Sequence, residues 1–229
     1  MKNRELWVVV PAYNEAASIS AVLASLRGFG YDTVCVVNDG STDQTAQLAR
    51  AGGAHVLDHV TNLGQGAALQ TGISYALARG ADYICTFDAD GQHAAGSIDD
   101  LLIELQRSGA DIAVGSRFLY ANASMPLARR LLLKAALIFT RVHARVKITD
   151  THNGLRLLTR RAAEAIEIEQ PGMAHASEIL QKIGNRKLTL VEVPVTVAYT
   201  EYSKRKGQSG FESVRILLDL LYGSLAVRR

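Results

Sequence analysis

The chain has 229 residues, enough for one globular domain, and its composition is that of a folded protein. Hydrophobic residues make up 48% and charged residues 21%, which argues against intrinsic disorder. A net charge of +3 is too small to indicate a nucleic-acid-binding protein, so we predict no nucleic-acid partner. We expect neither a signal peptide nor a membrane-spanning helix, since no apolar run approaches ~20 residues.

Strand and helix patterns alternate through the first half of the chain. Apolar runs predict strands at residues 6–10, 33–37, 55–57, 83–87 and 111–114. The intervening patterns predict helices at residues 15–26, 41–50, 64–78 and 98–106. This order predicts an α/β fold with an open, mostly parallel sheet flanked by helices, and a single domain over residues 1–229.

The second half of the chain has a less regular pattern. Helices are predicted at residues 127–146, 161–169, 176–184 and 211–227, and a long strand at residues 188–199. Cys35 and Cys85 fall in apolar strand patterns of the first half, where we expect free thiols of the core in a reducing compartment.

Polar loops follow four of the predicted strands. They read P-A-Y-N-E at residues 11–15, N-D-G-S-T-D at 38–43, D-A-D-G-Q-H at 88–93 and G-S-R at 115–117. Ligands of open α/β sheets bind at the carboxyl ends of the strands. Each loop alone is also compatible with an ordinary turn or helix cap, but the four together predict a binding site.

Asp88 and Asp90 are the most informative pair in these loops. Two carboxylates on one turn repel each other, and burying either is costly unless a positive charge lies between them. The pair therefore indicates a divalent cation, the alternative being a polar turn that caps the next helix.

These motifs, with N-L-G-Q-G-A-A-L-Q-T-G at residues 62–72, resemble those of the family 2 glycosyltransferases. The resemblance runs from about residue 8 to 118 and resumes with D-T-H-N-G-L-R at residues 150–156, E-V-P-V at 192–195 and K-G-Q-S at 206–209. The subgroup it resembles is dolichol-phosphate mannose synthase and the bacterial polyprenyl-phosphate glycosyltransferases. It implies the GT-A fold and a nucleotide-diphosphate sugar donor.

The resemblance also implies roles for individual residues. A Mg²⁺ or Mn²⁺ ion would be held by Asp88, Asp90 and Gln92. The base and ribose would contact Pro11, Tyr13 and Glu15, with Val37 and Asp39 reaching the base and the Ala89 backbone beside the nucleotide. Arg117 would neutralise the diphosphate or the acceptor phosphate, a task that suits its planar guanidinium.

The implied reaction is an inverting transfer of a hexose from a UDP- or GDP-sugar to a polyprenyl phosphate, whose oxygen is already anionic. Catalysis would rest on Asp90 and Arg117. Glu178 is the candidate for a general base if one is needed, the alternative being an acid on a helix surface.

Two departures from the family pattern fall near the predicted site. Gln65 stands where the family often has lysine, and Gly210 stands where relatives commonly have the lysine of G-x-S-K. We expect Lys204 and Lys206 to bind the donor diphosphate instead, the alternative being a solvated basic turn.

Segment 127–147 combines six cations with aliphatic side chains and contains no acid. This pattern and the apolar helix predicted at residues 211–227 favour a cytoplasmic protein peripheral to the membrane, bound to its cytoplasmic face or to a small membrane-protein partner. The alternative is packing against the sheet or a homodimer interface.

Other functions stay open on the sequence alone. The same fold could transfer sugar to a saccharide acceptor in cell-surface polysaccharide assembly, in which case Glu178 would act as base. A non-catalytic subunit that binds nucleotide-sugars is a further alternative, and a nucleotidyltransferase is disfavoured because P-A-Y-N-E is not a glycine-rich phosphate loop.

Overall fold

A computed structural model describes residues 5–119, 146, 148–151, 153–172 and 174–198. Nearly all of the basic segment 127–147 lies outside the described residues, as do the predicted helix 211–227, Lys204 and Lys206.

Seven strands form one sheet in the order β3-β2-β1-β4-β6-β5-β7. The strands are β1 Leu6–Ala12, β2 Val34–Asn38, β3 His55–Asp58, β4 Tyr83–Thr86, β5 Ile112–Ser116, β6 Arg156–Thr159 and β7 Leu190–Pro194. Of these seven, β6 alone runs antiparallel to its neighbours, β4 and β5. The predicted α/β fold with a mostly parallel sheet is confirmed.

Six helices of the described chain cover both faces of the sheet. They are α1 Ile19–Gly28, α2 Thr45–Ala51, α3 Gln65–Ala78, α4 Ser97–Ser108, α5 Arg160–Ala165 and α6 His175–Asn185. One core cluster joins the sheet to α3, α5 and α6, and a second joins it to α1, α2 and α4. Strands β1, β2, β4 and β5 are buried on both sides, which explains their continuous apolar runs.

The structure adds one strand and shortens several predicted elements. The predicted helices 15–26 and 41–50 begin only at Ile19 and Thr45. Strand β6 was not predicted, because its four residues begin with the buried cation Arg156 and follow a polar loop. The predicted helix 161–169 ends at Ala165, since Ile166 and Ile168 are buried in alternation with exposed Glu167 and Glu169, a period that suits extended backbone. The predicted strand 188–199 is shorter, with β7 ending at Pro194 and a single bridge joining Val197 to His93.

Within the part of the chain that the structure describes, no helix combines the length and apolar character needed to cross a bilayer.

Candidate functional site

The first two polar loops contact each other at the carboxyl edge of the sheet. The Asn14 backbone N–H donates to Ser41 Oγ (2.9 Å), and Asn14 Oδ1 accepts the Thr42 backbone N–H (2.9 Å). The Glu15 backbone N–H donates to Thr45 Oγ1 (2.8 Å). These bonds join P-A-Y-N-E to N-D-G-S-T-D and to the start of α2, and together the two loops form one wall of the site.

On this wall the predicted nucleotide contacts differ in exposure. Tyr13 is 44% exposed and presents its ring to solvent, whereas Pro11 is buried in β1. Glu15 is buried, and its Oε2 accepts a hydrogen bond from Ser18 Oγ (2.9 Å). Val37 is fully buried in the core beneath α3, so we expect no side-chain contact between Val37 and a ligand.

The Asp39 carboxylate organises the neighbouring loop. Its Oδ1 accepts the Leu63 backbone N–H (2.9 Å) and the ring N–H of His59 (2.7 Å), and its Oδ2 accepts the Gly64 backbone N–H (2.8 Å). Because Asp39 is only 3% exposed, its carboxylate shapes the loop that leads into α3. The sequence did not reveal this task, since Leu63 and Gly64 lie far from Asp39 along the chain.

Three neighbours hold the Asp88 carboxylate. Gln65 Nε2 donates to Oδ1 (3.2 Å), His93 Nε2 donates to Oδ2 (3.1 Å), and the Gly154 backbone packs directly on both oxygens. Burial raises the pKa of Asp88, but the His93 hydrogen bond and the positive charge of Arg156 outweigh it, so the net shift is downward. Asp88 is therefore held ionised in one orientation.

Asp90 lies in a different electrostatic environment on the same turn. Burial raises its pKa, and the negative charges of Asp88 and Glu15 add to that rise, although the Gln92 backbone N–H donates to Oδ1 (3.0 Å). Ala89, between the two acids, is 4% exposed, and the Gln92 side chain is half-buried. An added cation would relieve the repulsion that raises the Asp90 pKa.

Asp88, Asp90 and Gln92 fit a divalent cation that is held partly by protein oxygens and partly by phosphate oxygens. Among the described residues, no group of three or more His, Cys, Asp and Glu side chains could enclose a metal by itself. Mg²⁺ typically takes one or two carboxylates and completes its shell with phosphate oxygens and water. The donor set Asp88, Asp90 and Gln92 has that chemistry.

A buried cation beside Asp88 was missed by the sequence reasoning. Arg156 is 4% exposed, and its charge acts on both Asp88 and Asp150. Burial lowers the pKa of Arg156, while the two carboxylates raise it in part. Its NH1 atom has no hydrogen-bond partner among the described residues, and the same is true of His93 Nδ1 and Asn153 Nδ2. Buried polar atoms without a partner at a site point to a polar ligand. Arg156 is the last residue of the motif D-T-H-N-G-L-R, which was the one feature of the sequence that could have pointed to it.

Arg117 is tied to a second buried carboxylate. Its Nε and NH2 atoms donate to Asp150 Oδ2 (2.7 Å) and Oδ1 (2.9 Å), and Asp150 is 2% exposed. Thr149, the residue before Asp150, donates its backbone N–H and its hydroxyl to Glu192 Oε1 (2.8 and 2.7 Å), which holds this part of the chain in place. The guanidinium is therefore oriented by a fork-to-fork ion pair, with about a third of its surface exposed (31%).

The Glu178 carboxylate binds backbone N–H groups of the segment that precedes α6. Its Oε1 accepts the Glu169 backbone N–H (2.9 Å) and its Oε2 accepts the Gln170 backbone N–H (2.8 Å). Lys182 Nζ lies 3.0 Å from Oε1. With both oxygens engaged, Glu178 is poorly suited to accept a proton from an acceptor hydroxyl.

His175 should make the fold sensitive to mild acid. Burial lowers its pKa to about 4, helped by the Arg156 charge, and Nδ1 donates to the Gly172 carbonyl (2.8 Å). Because the pKa is lower in the folded state, the unfolded state binds the proton first, so stability is full above pH ~6.5 and falls towards pH ~4. We expect this group to cost about 3 kcal/mol of unfolding free energy across that window.

The matched variant for this prediction is His175→Asn, because asparagine presents an N–H at the Nδ1 position and does not titrate. Urea denaturation at pH 7 and pH 4 should show a smaller acid loss for the variant. Identical pH dependence of the two proteins would show that His175 does not control it.

Comparisons with known proteins identify the family of the chain. The family model described as glycosyl transferase family 2 matches residues 7–166. The chain belongs to glycosyltransferase family 2. The matched range contains the predicted site residues from Pro11 to Arg117, whereas Glu178, Lys204 and Lys206 lie beyond it.

Relatives within the family match almost the whole chain. UDP-N-acetylglucosamine–dolichyl-phosphate N-acetylglucosaminyltransferase of Methanococcus voltae is 28% identical over 242 residues, covering 96% of each protein. Undecaprenyl-phosphate mannosyltransferase of Micrococcus luteus is 30% identical over 213 residues, covering 88% of this chain and 87% of that protein.

The GT-A fold is confirmed by a solved glycosyltransferase. Glucosyl-3-phosphoglycerate synthase of Mycobacterium tuberculosis aligns with a TM-score of 0.71 and 22% identity, covering 96% of this chain and 80% of the synthase. A second crystal structure of that synthase, with a TM-score of 0.65 and 21% identity, contains Mn²⁺, UDP and glucosyl-3-phosphoglycerate and covers 95% of this chain and 80% of the synthase.

Proposed function

We propose that this family 2 glycosyltransferase moves a hexose from a UDP- or GDP-sugar to a polyprenyl phosphate, with inversion at the anomeric carbon. An oxygen of the acceptor phosphate attacks the anomeric carbon, and the bond from that carbon to the donor diphosphate breaks. The nucleoside diphosphate leaves with the bonding electron pair. The relatives named above act on dolichyl and undecaprenyl phosphates, which supports this acceptor class.

The donor would lie across the carboxyl edge of the sheet. Tyr13 offers an exposed ring to the base, beside the wall that Asn14 and Glu15 form with the second loop. Asp88, Asp90 and Gln92 would hold Mg²⁺ or Mn²⁺ against the diphosphate. When bound, the cation acts as a Lewis acid that stabilises the charge of the leaving group.

Two arginines supply fixed positive charge around the same point. Arg156 is buried next to Asp88 with an unsatisfied NH1 atom, and Arg117 is oriented by Asp150. Fixed charges aimed at the departing diphosphate and the acceptor phosphate stabilise the transition state without reorganising during the reaction. Lys204 and Lys206 stay predicted further contacts to the diphosphate.

The observation that carries the choice of acceptor is the state of Glu178 and His175, two groups of α6 that could in principle act as bases. Glu178 binds two backbone amides, and the His175 pKa is lowered to about 4, so neither is poised to deprotonate a hydroxyl at neutral pH. A phosphate monoester carries about −1.5 to −2 charges at pH 7 and needs no base. An anionic acceptor suits this site better than a saccharide hydroxyl.

The membrane location is part of the proposal. Segment 127–147 and the predicted helix 211–227 would hold the enzyme on the cytoplasmic face of the membrane, where a polyprenyl phosphate presents its head group.

The acceptor class is tested by offering the enzyme undecaprenyl phosphate and undecaprenol in detergent with the same donor. We expect product with the phosphate alone, and a turnover rate that changes little between about pH 7 and pH 9 because no enzyme base titrates. Comparable turnover with undecaprenol would contradict the proposal.

A further inference from the structure

Residues 167–172 form an extended segment between α5 and α6, which we call the strap. Its anchor on α6 is Glu178, whose two carboxylate oxygens accept the backbone N–H groups of Glu169 (2.9 Å) and Gln170 (2.8 Å). Lys182, one turn further along α6, contacts the carboxylates of both Glu178 (3.0 Å) and Glu169 (2.8 Å). Lys182 Nζ also donates to the Glu167 carbonyl, and His175 Nδ1 donates to the Gly172 carbonyl (2.8 Å). The strap is therefore fixed to α6 at several points, of which the Glu178 carboxylate is the one that binds its backbone N–H groups.

The other side of the strap covers the amino end of α3. The Pro171 carbonyl accepts the backbone N–H of Gly66 (2.7 Å) and that of Ala67 (3.3 Å), which would otherwise lack a partner at the start of a helix. The Ile168 backbone N–H donates to Gln70 Oε1 (2.6 Å). A Cβ atom at Gly66 would collide with the Gln170 carbonyl and lie 2.9 Å from His175 Cβ, so the contact requires glycine.

The first residue of α3 contacts the acidic turn. Gln65 begins the helix, and its Nε2 donates to Asp88 Oδ1 (3.2 Å). The orientation of this side chain depends on the position of the first turn of α3, which the strap fixes. Hydrogen bonds joined by short stretches of backbone thus connect Glu178 through the strap and α3 to Asp88.

We propose that Glu178 is a positioning residue: it holds the strap on the amino end of α3 and thereby keeps the Gln65 amide on Asp88. The inference rests on the proposed function, because it gives the orientation of Asp88 a role in cation and diphosphate binding. It assigns Glu178 a task different from proton transfer.

The chemistry of the anchor explains why the residue is a carboxylate. Two backbone N–H groups need two acceptor atoms, and a glutamate supplies both with charge assistance. A glutamine offers one oxygen and turns an N–H₂ group towards the other donor. Glu178→Gln should therefore weaken the attachment of the strap to α6, and Glu178→Ala should weaken it further, leaving the bonds from Lys182 and His175.

The first test measures hydrogen–deuterium exchange at Gly66 and Ala67, a readout that needs neither substrate nor turnover. We expect exchange to rise by about 10-fold or more in Glu178→Ala and by less in Glu178→Gln. The control is Glu164→Ala, which removes an exposed acid of α5 paired with Arg160, and should leave these amides unchanged. Unchanged exchange in both Glu178 variants would overturn the proposal.

The second test is a double-mutant cycle on Mn²⁺ affinity in the presence of nucleoside diphosphate. Glu178→Ala and Gln65→Ala should each weaken Mn²⁺ binding by about 10-fold, and the double variant should bind little worse than either. Purely additive effects would overturn the proposal, since the two side chains would then act independently. Loss of turnover in Glu178→Gln with unchanged exchange and Mn²⁺ affinity would identify a general base instead.

The two proposals fail in different ways. Absence of lipid-linked product with the unchanged enzyme contradicts the proposed function. Unchanged amide exchange at Gly66 and Ala67 in the Glu178 variants contradicts this inference, whichever acceptor the enzyme uses.

Discussion

Replacement of Asp90 by alanine is expected to lower the rate of sugar transfer by at least about 10³-fold, because it removes a carboxylate that we propose as a ligand of the catalytic cation. Lewis-acid stabilisation of a leaving group contributes several kcal/mol to the barrier, and about 4 kcal/mol corresponds to this loss. Asp88 would remain as a ligand, but Gln65 and His93 hold it in its own orientation, so it cannot also take the position that Asp90 leaves.

The same change should leave the fold intact. Asp90 is disfavoured in its ionised form by burial and by the charges of Asp88 and Glu15, so its removal relieves repulsion. We expect the melting temperature of Asp90→Ala without metal to equal or exceed that of the unchanged protein. Asp100→Ala is the matched control, since Asp100 is an exposed acid on α4. Transfer at more than a tenth of the normal rate would remove Asp90 from the mechanism.

Gly154→Ala is expected to reduce transfer by about 10²-fold through a single added methyl group. A Cβ atom at this position would overlap both carboxylate oxygens of Asp88, so Asp88 must turn away from Gln65 and His93. A displacement of about 1 Å at a catalytic group costs on the order of 10²-fold in rate.

This prediction is specific to the position of Asp88. Gly154 does not have a left-handed φ, so alanine can adopt its backbone conformation. Gly28→Ala is the control, because a Cβ atom at Gly28 would meet nothing within 4 Å. Kinetics with a donor and an acceptor, together with Mn²⁺ affinity, should show the loss in Gly154→Ala alone. Normal Mn²⁺ binding and turnover in that variant would contradict the orientation of Asp88 described above.

Much of the fold follows from local patterns in the sequence. Buried parallel strands require continuous apolar runs, and the runs at β1, β2 and β4 were visible for that reason. Strand β6 was not visible, because it is antiparallel, short and begins with Arg156, whose burial depends on Asp88 and Asp150 from elsewhere in the chain. The end of α5 was misjudged because a short helix followed by alternating Ile and Glu resembles a longer helix.

The site was predictable as a set of loops but not as a set of contacts. The order of the loops and the rule for parallel sheets placed Asp88 and Asp90 at one edge. The partners of Asp88 come from α3, from its own turn and from the loop before β6. Asp39 and Glu178 likewise bind backbone N–H groups of other loops. Such pairings arise from tertiary structure and leave no local pattern.

Transfer of labelled sugar from a panel of UDP- and GDP-sugars to undecaprenyl phosphate tests the central claim most directly. The reactions contain detergent with Mg²⁺, Mn²⁺ or EDTA, and the label is counted in the organic phase. We predict lipid-linked label with at least one donor, dependent on the cation and lost in Asp90→Ala. Nucleotide binding without lipid-linked label from any donor would contradict the assignment of a polyprenyl phosphate acceptor.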